Sequence, residues 1–266
     1  MANGALAPEE ETARECGLRL IEISGIYEDG VVGYGAPHAT LAIAGLVARQ
    51  RRLLKAAYQL ADGGNRLEAS ILQRSMLEFL IVQKWLALDS QTHFLLWAAD
   101  DLRARLRIDR EMREQVPEAR REAILRPEVG ERYEESLEQM EAQLEQAREE
   151  LGVERVPPLP SLREMADAVD LGATYSLAYR FDSQSAAHPS PLAIEQLMQD
   201  RPELGGIGLL AEPPPERGRA DPYAVCAVIL REALSGAAAL IPELRLDGFD
   251  EVVARLEELY SALGAQ

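Results

Sequence analysis

Apolar residues recur at three- and four-residue spacing along almost the whole chain, which is the pattern of amphipathic helices. The first long example covers residues 37–61, and Gly63 and Gly64 mark its end. Asn65 is placed to cap a second helix that reaches about residue 88, and Asp89 or Ser90 is placed to cap a third. Further helices are predicted at residues 127–151, 161–170, 172–188, 191–199, 222–241 and 249–263. The pattern therefore predicts an all-α fold built around a helical bundle.

The segment at residues 127–151 carries an apolar seam of the kind that packs two helices together. Its members are spaced 4, 3, 4, 3 and 4 residues apart: Tyr133, Leu137, Met140, Leu144, Ala147 and Leu151. Residues 127–155 contain ten acidic and three basic side chains, whereas residues 100–126 contain eight arginines and seven acids. We therefore predict that residues 91–151 form a projecting antiparallel helical hairpin, with arginines facing glutamates. An intermolecular coiled coil is the alternative.

The domain organisation follows from where the helical pattern starts and where it is interrupted. Residues 1–36 are predicted to form a partly mobile N-terminal segment, because the first 16 residues are rich in glutamate. Residues 37–266 are predicted to form a single helical domain that includes the hairpin. Within it, the glycine- and proline-rich stretch at residues 205–221 is predicted to be a long loop. The stretch at residues 30–35 is the one segment that looks extended.

The composition narrows the range of functions. The formal net charge is −17, which argues against a large basic face for nucleic acid but leaves room for a local basic pocket. Two cysteines do not provide a disulfide framework. The apolar stretch at residues 223–241 is interrupted by Arg231, Glu232 and Gly236, so we interpret it as a buried helix rather than a membrane span. With no signal peptide visible, we expect a cytoplasmic protein that does not bind membranes.

The common metal and cofactor motifs are absent from the sequence. There is no His-Glu-x-x-His, no Cys-x-x-Cys and no Glu-x-x-His, and the three histidines lie far apart along the chain. We therefore expect neither a metal nor a cofactor. His38 and His93 sit near a helix start and on an amphipathic helix, respectively, where structural roles are expected.

Arg74 and Glu78 form the first candidate site. They are four residues apart and therefore neighbours on one face of a helix that is otherwise mostly apolar. One interpretation is a structural ion pair. The other is that Arg74 presents its guanidinium to an anion while Glu78 orients it.

The second candidate site is the segment at residues 175–190. Arg180, Gln184 and His188 are spaced four residues apart, so they follow one side of a helix. An arginine suits a phosphate or carboxylate, and a histidine suits proton transfer near neutral pH. Tyr175 and Tyr179 can stack on a planar group or close a pocket. The alternative is that His188 caps the end of the helix and that Arg180 is a surface residue.

Three motifs taken together carry a family resemblance: the Arg74–Glu78 pair, a Leu-Pro-Ser helix start at residues 159–161, and a Tyr-x-x-x-Tyr-Arg segment that ends in His-Pro-Ser. As a set, they resemble an uncharacterised bacterial helical family that is known only as a domain of unknown function. The resemblance covers roughly residues 41–192.

The layout is more distantly similar to the HEPN group of helical proteins, which includes toxins and abortive-infection factors that cut RNA without a metal. That resemblance implies that Arg180 binds the scissile phosphate and that His188 acts as acid or base on a ribose hydroxyl. HEPN proteins place the histidine a few residues after the arginine near a helix end. Seven residues separate the two here, and on a straight helix the rise would be about 12 Å. A helix break or a second chain would bring them together.

Three functions are consistent with these features. The first is an RNA-directed, HEPN-like protein, acting as a metal-independent ribonuclease in phage defence or stress response. The second is a binding protein for a small anionic or nucleotide-like ligand, which uses the same residues without catalysis. The third is a non-catalytic interaction protein whose acidic hairpin docks a basic protein. In each case we expect a homodimer, formed through the bundle or the hairpin.

Overall fold

The structure is a computed structural model that describes residues 6–26, 38–118, 120, 127–182, 198–201, 206–209, 221–241 and 246–264, with backbone alone at 127–134, 178–182, 198–201, 206–209 and 262–264. Nine helices lie in the described part: α1 Pro8–Ile23, α2 His38–Asp62, α3 Arg66–Leu88, α4 Ser90–Gln115, α5 Pro127–Glu150, α6 Leu162–Ala168, α7 Gly172–Asp182, α8 Pro222–Leu240 and α9 Phe249–Gly264. Two strands, β1 Met198–Arg201 and β2 Gly206–Leu209, pair antiparallel. The predicted all-α class is confirmed, with one small β-hairpin added to it.

The β-hairpin corrects two local predictions. Met198 pairs with Leu209 and Gln199 with Gly208, whereas the sequence pattern predicts that Met198 and Gln199 end a helix at residues 191–199. The strand Gly206–Leu209 lies inside the stretch predicted to be a loop. Strand pairing depends on a partner elsewhere in the chain, so local periodicity is a poor guide to it. The predicted extended segment at residues 30–35 lies outside the described residues.

The chain divides into two compact units, one of residues 1–87 and 162–266 and the other Leu88–Ser161. In the first unit α8 packs against both α1 and α2, and α9 packs against α1. The core of this unit is apolar and well buried. Its largest fully buried side chains include Leu20, Ile43, Leu54, Met76, Ile81, Leu86, Tyr223, Leu230, Leu234 and Leu256.

Helix α1 belongs to this core, although the sequence assigned residues 1–36 to a partly mobile segment. Its inner face is buried and consists of small or apolar residues: Ala13, Cys16, Gly17, Leu20 and Ile21. Three glutamates occupy the first turn, where negative charge interacts favourably with the helix dipole. The glutamates that suggested mobility are therefore helix-start residues, and the apolar stripe follows them.

Helices α2, α5 and α6 end in the same backbone motif. Each has a residue in the left-handed region just past the helix: Gly64 with φ 87°, Gly152 with φ 65° and Asp170 with φ 60°. In α2, for example, the Asn65 N–H donates to the Leu60 carbonyl and the Gly64 N–H to the Ala61 carbonyl. This is a Schellman ending, which satisfies the last carbonyls of a helix. The predicted helix end at Gly63 and Gly64 is confirmed.

The second unit consists of α4, α5 and the chain that follows them. Leu95, Leu96 and Ala99 near the start of α4 pack with Leu144, Ala147 and Leu151 near the end of α5, so the two helices run antiparallel. Val156 joins the same cluster, and Arg103 donates hydrogen bonds to the carbonyls of Val156 and Pro157. The second half of the predicted seam, Leu144, Ala147 and Leu151, therefore packs within the chain. Two arginines of α4 pair inside their own helix, Arg105 with Asp101 and Arg113 with Asp109.

Helix α8 is long and apolar enough to cross a membrane by length and composition, and no other helix in the described part of the chain is. About half of its most apolar stretch is buried inside the protein. The buried residues include Tyr223, Leu230 and Leu234, which pack in the core with α1 and α2. Core helices have this apolar character as well as membrane spans.

Candidate functional site

Buried glutamines hold α3, which carries the first candidate pair, against its neighbours. The Gln50 side-chain amide of α2 donates to Gln83 Oε1 at 2.9 Å, and Gln83 Nε2 donates to the Ala233 carbonyl of α8 at 2.7 Å. Next to them, Lys84 Nζ lies 2.7 Å from a carboxylate oxygen of Glu232. Because a buried amide must find partners, these bonds fix the register of α3 against α2 and α8.

Arg74 and Glu78 meet on α3 as their spacing predicts. Arg74 Nε donates to Glu78 Oε1 at 3.1 Å, and the two side chains are 18% and 35% exposed. Residues between and beside them are buried in the core, including Met76, Leu77 and Leu80. The pair therefore lies at the edge of an apolar helix face, and Glu78 fixes the plane of the guanidinium.

A sharp turn between α6 and α7 leads into the second candidate segment. The Leu171 N–H donates to the Ala166 carbonyl at 2.8 Å and the Asp170 N–H to the Asp167 carbonyl at 3.4 Å. Asp170 adopts the left-handed conformation that this ending requires. Helix α7 then begins at Gly172, in agreement with the helix break predicted at residues 170–172.

Three side chains and one glycine connect α6 to the first turns of α7, and we call them the α6–α7 bridge: Arg163, Asp167, Ser176 and Gly172. Arg163 Nε donates to both carboxylate oxygens of Asp167, at 3.1 and 2.9 Å, and Arg163 Nη1 donates to the Ser176 hydroxyl. Ser176 in turn donates to the Gly172 carbonyl at 2.9 Å. A Cβ on Gly172 would lie 1.9 Å from Asp167 Oδ1, so a glycine lets the carboxylate sit against α7.

The residues of the second candidate site are described to different extents. Tyr175 is half-buried on α7. Tyr179 and Arg180 lie in the α7 backbone, one turn beyond Tyr175 and Ser176, while their side chains are outside the description.

Gln184 and His188 lie outside the described residues altogether. The convergence of Arg74, Glu78, Arg180 and His188 in one cleft therefore stays a prediction.

The described residues contain no group of three or more His, Cys, Asp or Glu side chains that could hold a metal ion. Cys16 and Cys226 are both buried, and neither forms a disulfide. Burial raises the pKa of the Cys16 thiol, which disfavours the reactive thiolate. The two cysteines therefore pack as small apolar residues, as the sequence indicated for Cys226.

Sequence reasoning missed a charged network that fastens α1 to the bundle. Arg66 binds Glu10 through two bonds of 2.7 and 3.2 Å, and Arg14 binds Asp62 through two bonds of 3.0 Å. The Tyr223 hydroxyl also donates to Asp62, at 2.7 Å, and burial raises the pKa of that phenol. These partners lie 48 to 161 residues apart, so no local spacing pointed to them.

One family model matches this chain. It is DUF5677, a family of unknown function, and it matches residues 40–206. No curated protein and no solved structure matches the chain. The matched stretch contains all seven predicted site residues and the α6–α7 bridge, and the resemblance to a domain of unknown function is confirmed. The chain therefore belongs to the DUF5677 family, whose function is unknown.

Proposed function

We propose that this protein acts on RNA and cuts it without a metal. In this proposal Arg180 binds the scissile phosphate and His188 transfers the proton. Arg74 and Glu78 support phosphate binding, and Tyr175, Tyr179 and Gln184 contact the nucleotide. The protein acts in the cytoplasm, in phage defence or stress response.

The observation that carries the proposal is the Arg74–Glu78 pair at the edge of the apolar face of α3. A desolvated ion pair is costly, and apolar residues of similar size often give equal or greater stability. Arg74 is 18% exposed and Glu78 is 35% exposed, so the pair carries part of this desolvation cost, and we infer that binding is the reason for it. A guanidinium whose plane is fixed by a carboxylate is suited to binding a phosphate oxygen.

The proposed chemistry needs only groups of the protein and the RNA. The ribose 2′ oxygen attacks the adjacent phosphorus while His188 takes the 2′ proton. The bond from phosphorus to the 5′ oxygen breaks, and the 5′ oxygen takes a proton from solvent. The products are a 2′,3′-cyclic phosphate and a 5′ hydroxyl. Arginines near the phosphate stabilise the charge that develops on its oxygens.

The spacing of Arg180 and His188 leads us to include a homodimer in the proposal. A straight helix would separate the two residues by about 12 Å along its axis, which is too far for both to contact one phosphate. A second copy of the chain can supply one of the two groups. Sedimentation analysis of the purified protein is expected to give the mass of a dimer.

The test is RNA cleavage in excess EDTA by the wild type, Arg180→Ala and His188→Ala. We expect the wild type to cut RNA, both variants to lose the activity, and the product to carry a 2′,3′-cyclic phosphate. His93→Ala, a histidine of α4 in the other unit, is the matched control and is expected to remain active. The same oligonucleotide made of deoxyribose should stay intact, because it lacks the attacking 2′ oxygen.

Two results would contradict the proposal. If the wild type and His188→Ala cut RNA equally, the activity belongs to a contaminant. If the wild type cuts no RNA but is stabilised against heating by nucleotides, and Arg180→Ala is not, the site binds a small anionic ligand without catalysis.

Docking of a basic protein is a second candidate function, favoured by the surface of α5. Glu138, Glu141, Glu145 and Glu149 are exposed and recur at three- and four-residue spacing, in a row that flanks the seam. Their row gives α5 a strongly acidic outer face, although Arg148 pairs with Glu145. Under this function, Glu138→Gln/Glu141→Gln/Glu149→Gln weakens binding of an arginine-rich peptide at low salt, whereas His188→Ala leaves it unchanged.

A further inference from the structure

The α6–α7 bridge joins two helices at the turn that precedes Arg180. Ser176 lies four residues before Arg180, so the hydroxyl that receives the Arg163 hydrogen bond sits one helical turn ahead of that arginine. The other end of the bridge is also tied to α7, because the Asp167 carboxylate lies against Gly172 in the first turn. The bridge therefore fixes the direction and the rotation of α7 at two successive turns.

The α6–α7 bridge adds to what the backbone does to position α7 relative to the short helix α6. It has seven residues and passes into α7 through a turn of three residues, Val169 to Leu171. Without the bridge, the backbone would set the angle between α6 and α7 only through this turn, in which Asp170 is left-handed. Arg163 adds a cross-link that the backbone does not supply, since its two donors, Nε and Nη1, reach one residue on each helix.

From this geometry we infer that Arg163 and Ser176 are positioning residues for Arg180, with Asp167 orienting the Arg163 guanidinium. This inference rests on the proposed function, because it assigns Arg180 to the phosphate. A small change in the rotation of α7 would displace the group at position 180 from its phosphate, and displacements of about 1 Å can cost about a hundredfold in rate.

The bridge is a poor candidate for a device that only stabilises the fold. Arg163 and Asp167 are 50% and 53% exposed, and exposed pairs of this kind contribute little to stability. Asp109 and Arg113 of α4 form a pair with the same spacing and the same bond geometry, with Nε–oxygen distances of 3.0 and 2.9 Å, although Asp109 is only 13% exposed. That pair offers a matched control.

The experiment compares Arg163→Ala, Ser176→Ala, Ser176→Thr and Arg113→Ala in the full-length protein. RNA cleavage is measured in EDTA, and hydrogen–deuterium exchange is measured for the peptide that covers α7. We expect Arg163→Ala and Ser176→Ala to lower kcat and kcat/KM together by about tenfold or more. Both should also speed exchange in α7. Ser176→Thr keeps the hydroxyl and should retain activity, and Arg113→Ala should leave α7 exchange and cleavage unchanged.

The two readouts separate the failure of this inference from the failure of the proposed function. An active wild type whose Arg163→Ala and Ser176→Ala variants keep full activity overturns the positioning role. A wild type that cuts no RNA overturns the proposed function. The exchange data alone then show whether Arg163 and Ser176 hold α7 in place. Unchanged α7 exchange in both variants would show that the bridge does not hold this helix.

Discussion

The hydroxyl of Tyr58 on α2 donates a hydrogen bond to the main-chain carbonyl of Tyr223 on α8, 2.8 Å away, and the two rings meet nearly edge to face with centroids 5.0 Å apart. Tyr58 is 3% exposed and Tyr223 is 1% exposed. The two tyrosine side chains lie where α1, α2 and α8 pack together. Gly17 of α1 leaves room there for the Tyr58 ring. A Cβ on Gly17 would stand 1.8 Å from the Tyr58 hydroxyl oxygen.

Gly17→Ala is therefore expected to destabilise the protein by about 1–3 kcal/mol, the usual cost of forcing extra atoms into a packed core. Urea unfolding followed by circular dichroism measures the change. Gly45→Ala is the matched control, since a Cβ at that position of α2 meets nothing within 4 Å. It should stabilise by up to about 1 kcal/mol, because alanine favours a helix. Equal effects of the two substitutions would contradict the close approach at Gly17.

Local chemistry explains which parts of this fold were predictable. Asp89 accepts a hydrogen bond from the Thr92 N–H at 3.1 Å and begins α4 as predicted, and Pro127 and Pro222 open α5 and α8. Capping residues and prolines act over one turn, so their effect can be recognised from neighbouring positions. The i, i+4 pair of Arg74 and Glu78 was predictable for the same reason.

Contacts between distant segments explain what was missed. The place of α1 in the core depends on Tyr58 fitting over Gly17, and its fastening depends on Arg66 and Asp62 from the next two helices. The sequence around Glu9 to Glu11 contains no trace of these partners. The α6–α7 bridge was missed because Arg163 and Ser176 lie 13 residues apart, across a turn whose geometry spacing does not reveal.

Asp170→Gly is expected to stabilise the protein by roughly 0.5–1 kcal/mol, because glycine adopts the left-handed conformation without the steric cost that a side chain carries.

The opposite substitution, from glycine to a residue with a side chain, can be made at the left-handed position after α5. Gly152 has φ 65° and open space around it, so the cost of Gly152→Ala should be backbone strain alone, about 1 kcal/mol. Thermal unfolding measures both, and shifts of the same sign would contradict the shared motif.

Acid is expected to weaken the attachment of α1. The hydrogen bonds from Arg66 hold the pKa of Glu10 below its ordinary value of 4.5, and those from Arg14 hold the pKa of Asp62 below 3.8. A carboxyl whose folded pKa is lowered adds stability above its unfolded pKa and loses it as the pH falls through the folded pKa. Burial raises the pKa of Asp221, so that residue acts in the opposite sense, favouring the folded state at lower pH.

Glu10→Gln isolates one of these contributions. The wild type should be more stable than the variant near neutral pH. The difference should shrink as the pH falls from the ordinary carboxyl pKa of 4.5 through the lower pKa of folded Glu10, because the carboxylate becomes protonated over that range. Unfolding temperatures of the two proteins across the range provide the measurement. A difference that stays constant with pH would contradict the role of the Glu10–Arg66 ion pair.

The Arg74–Glu78 pair yields the prediction that bears most directly on function. Glu78→Ala removes a hydrogen-bonding carboxylate from the part-buried Arg74 guanidinium, so it should destabilise by about 1–2 kcal/mol. Replacing both, as Arg74→Met with Glu78→Leu, removes the desolvation cost along with the attraction and should leave stability within about 1 kcal/mol of the wild type. Chemical unfolding measures both changes, and RNA cleavage in EDTA is measured alongside.

If the pair serves phosphate binding, the double variant folds normally and loses activity. If the double variant is the less stable of the two and its activity survives, the pair is structural, and the observation that carries the proposed function is removed.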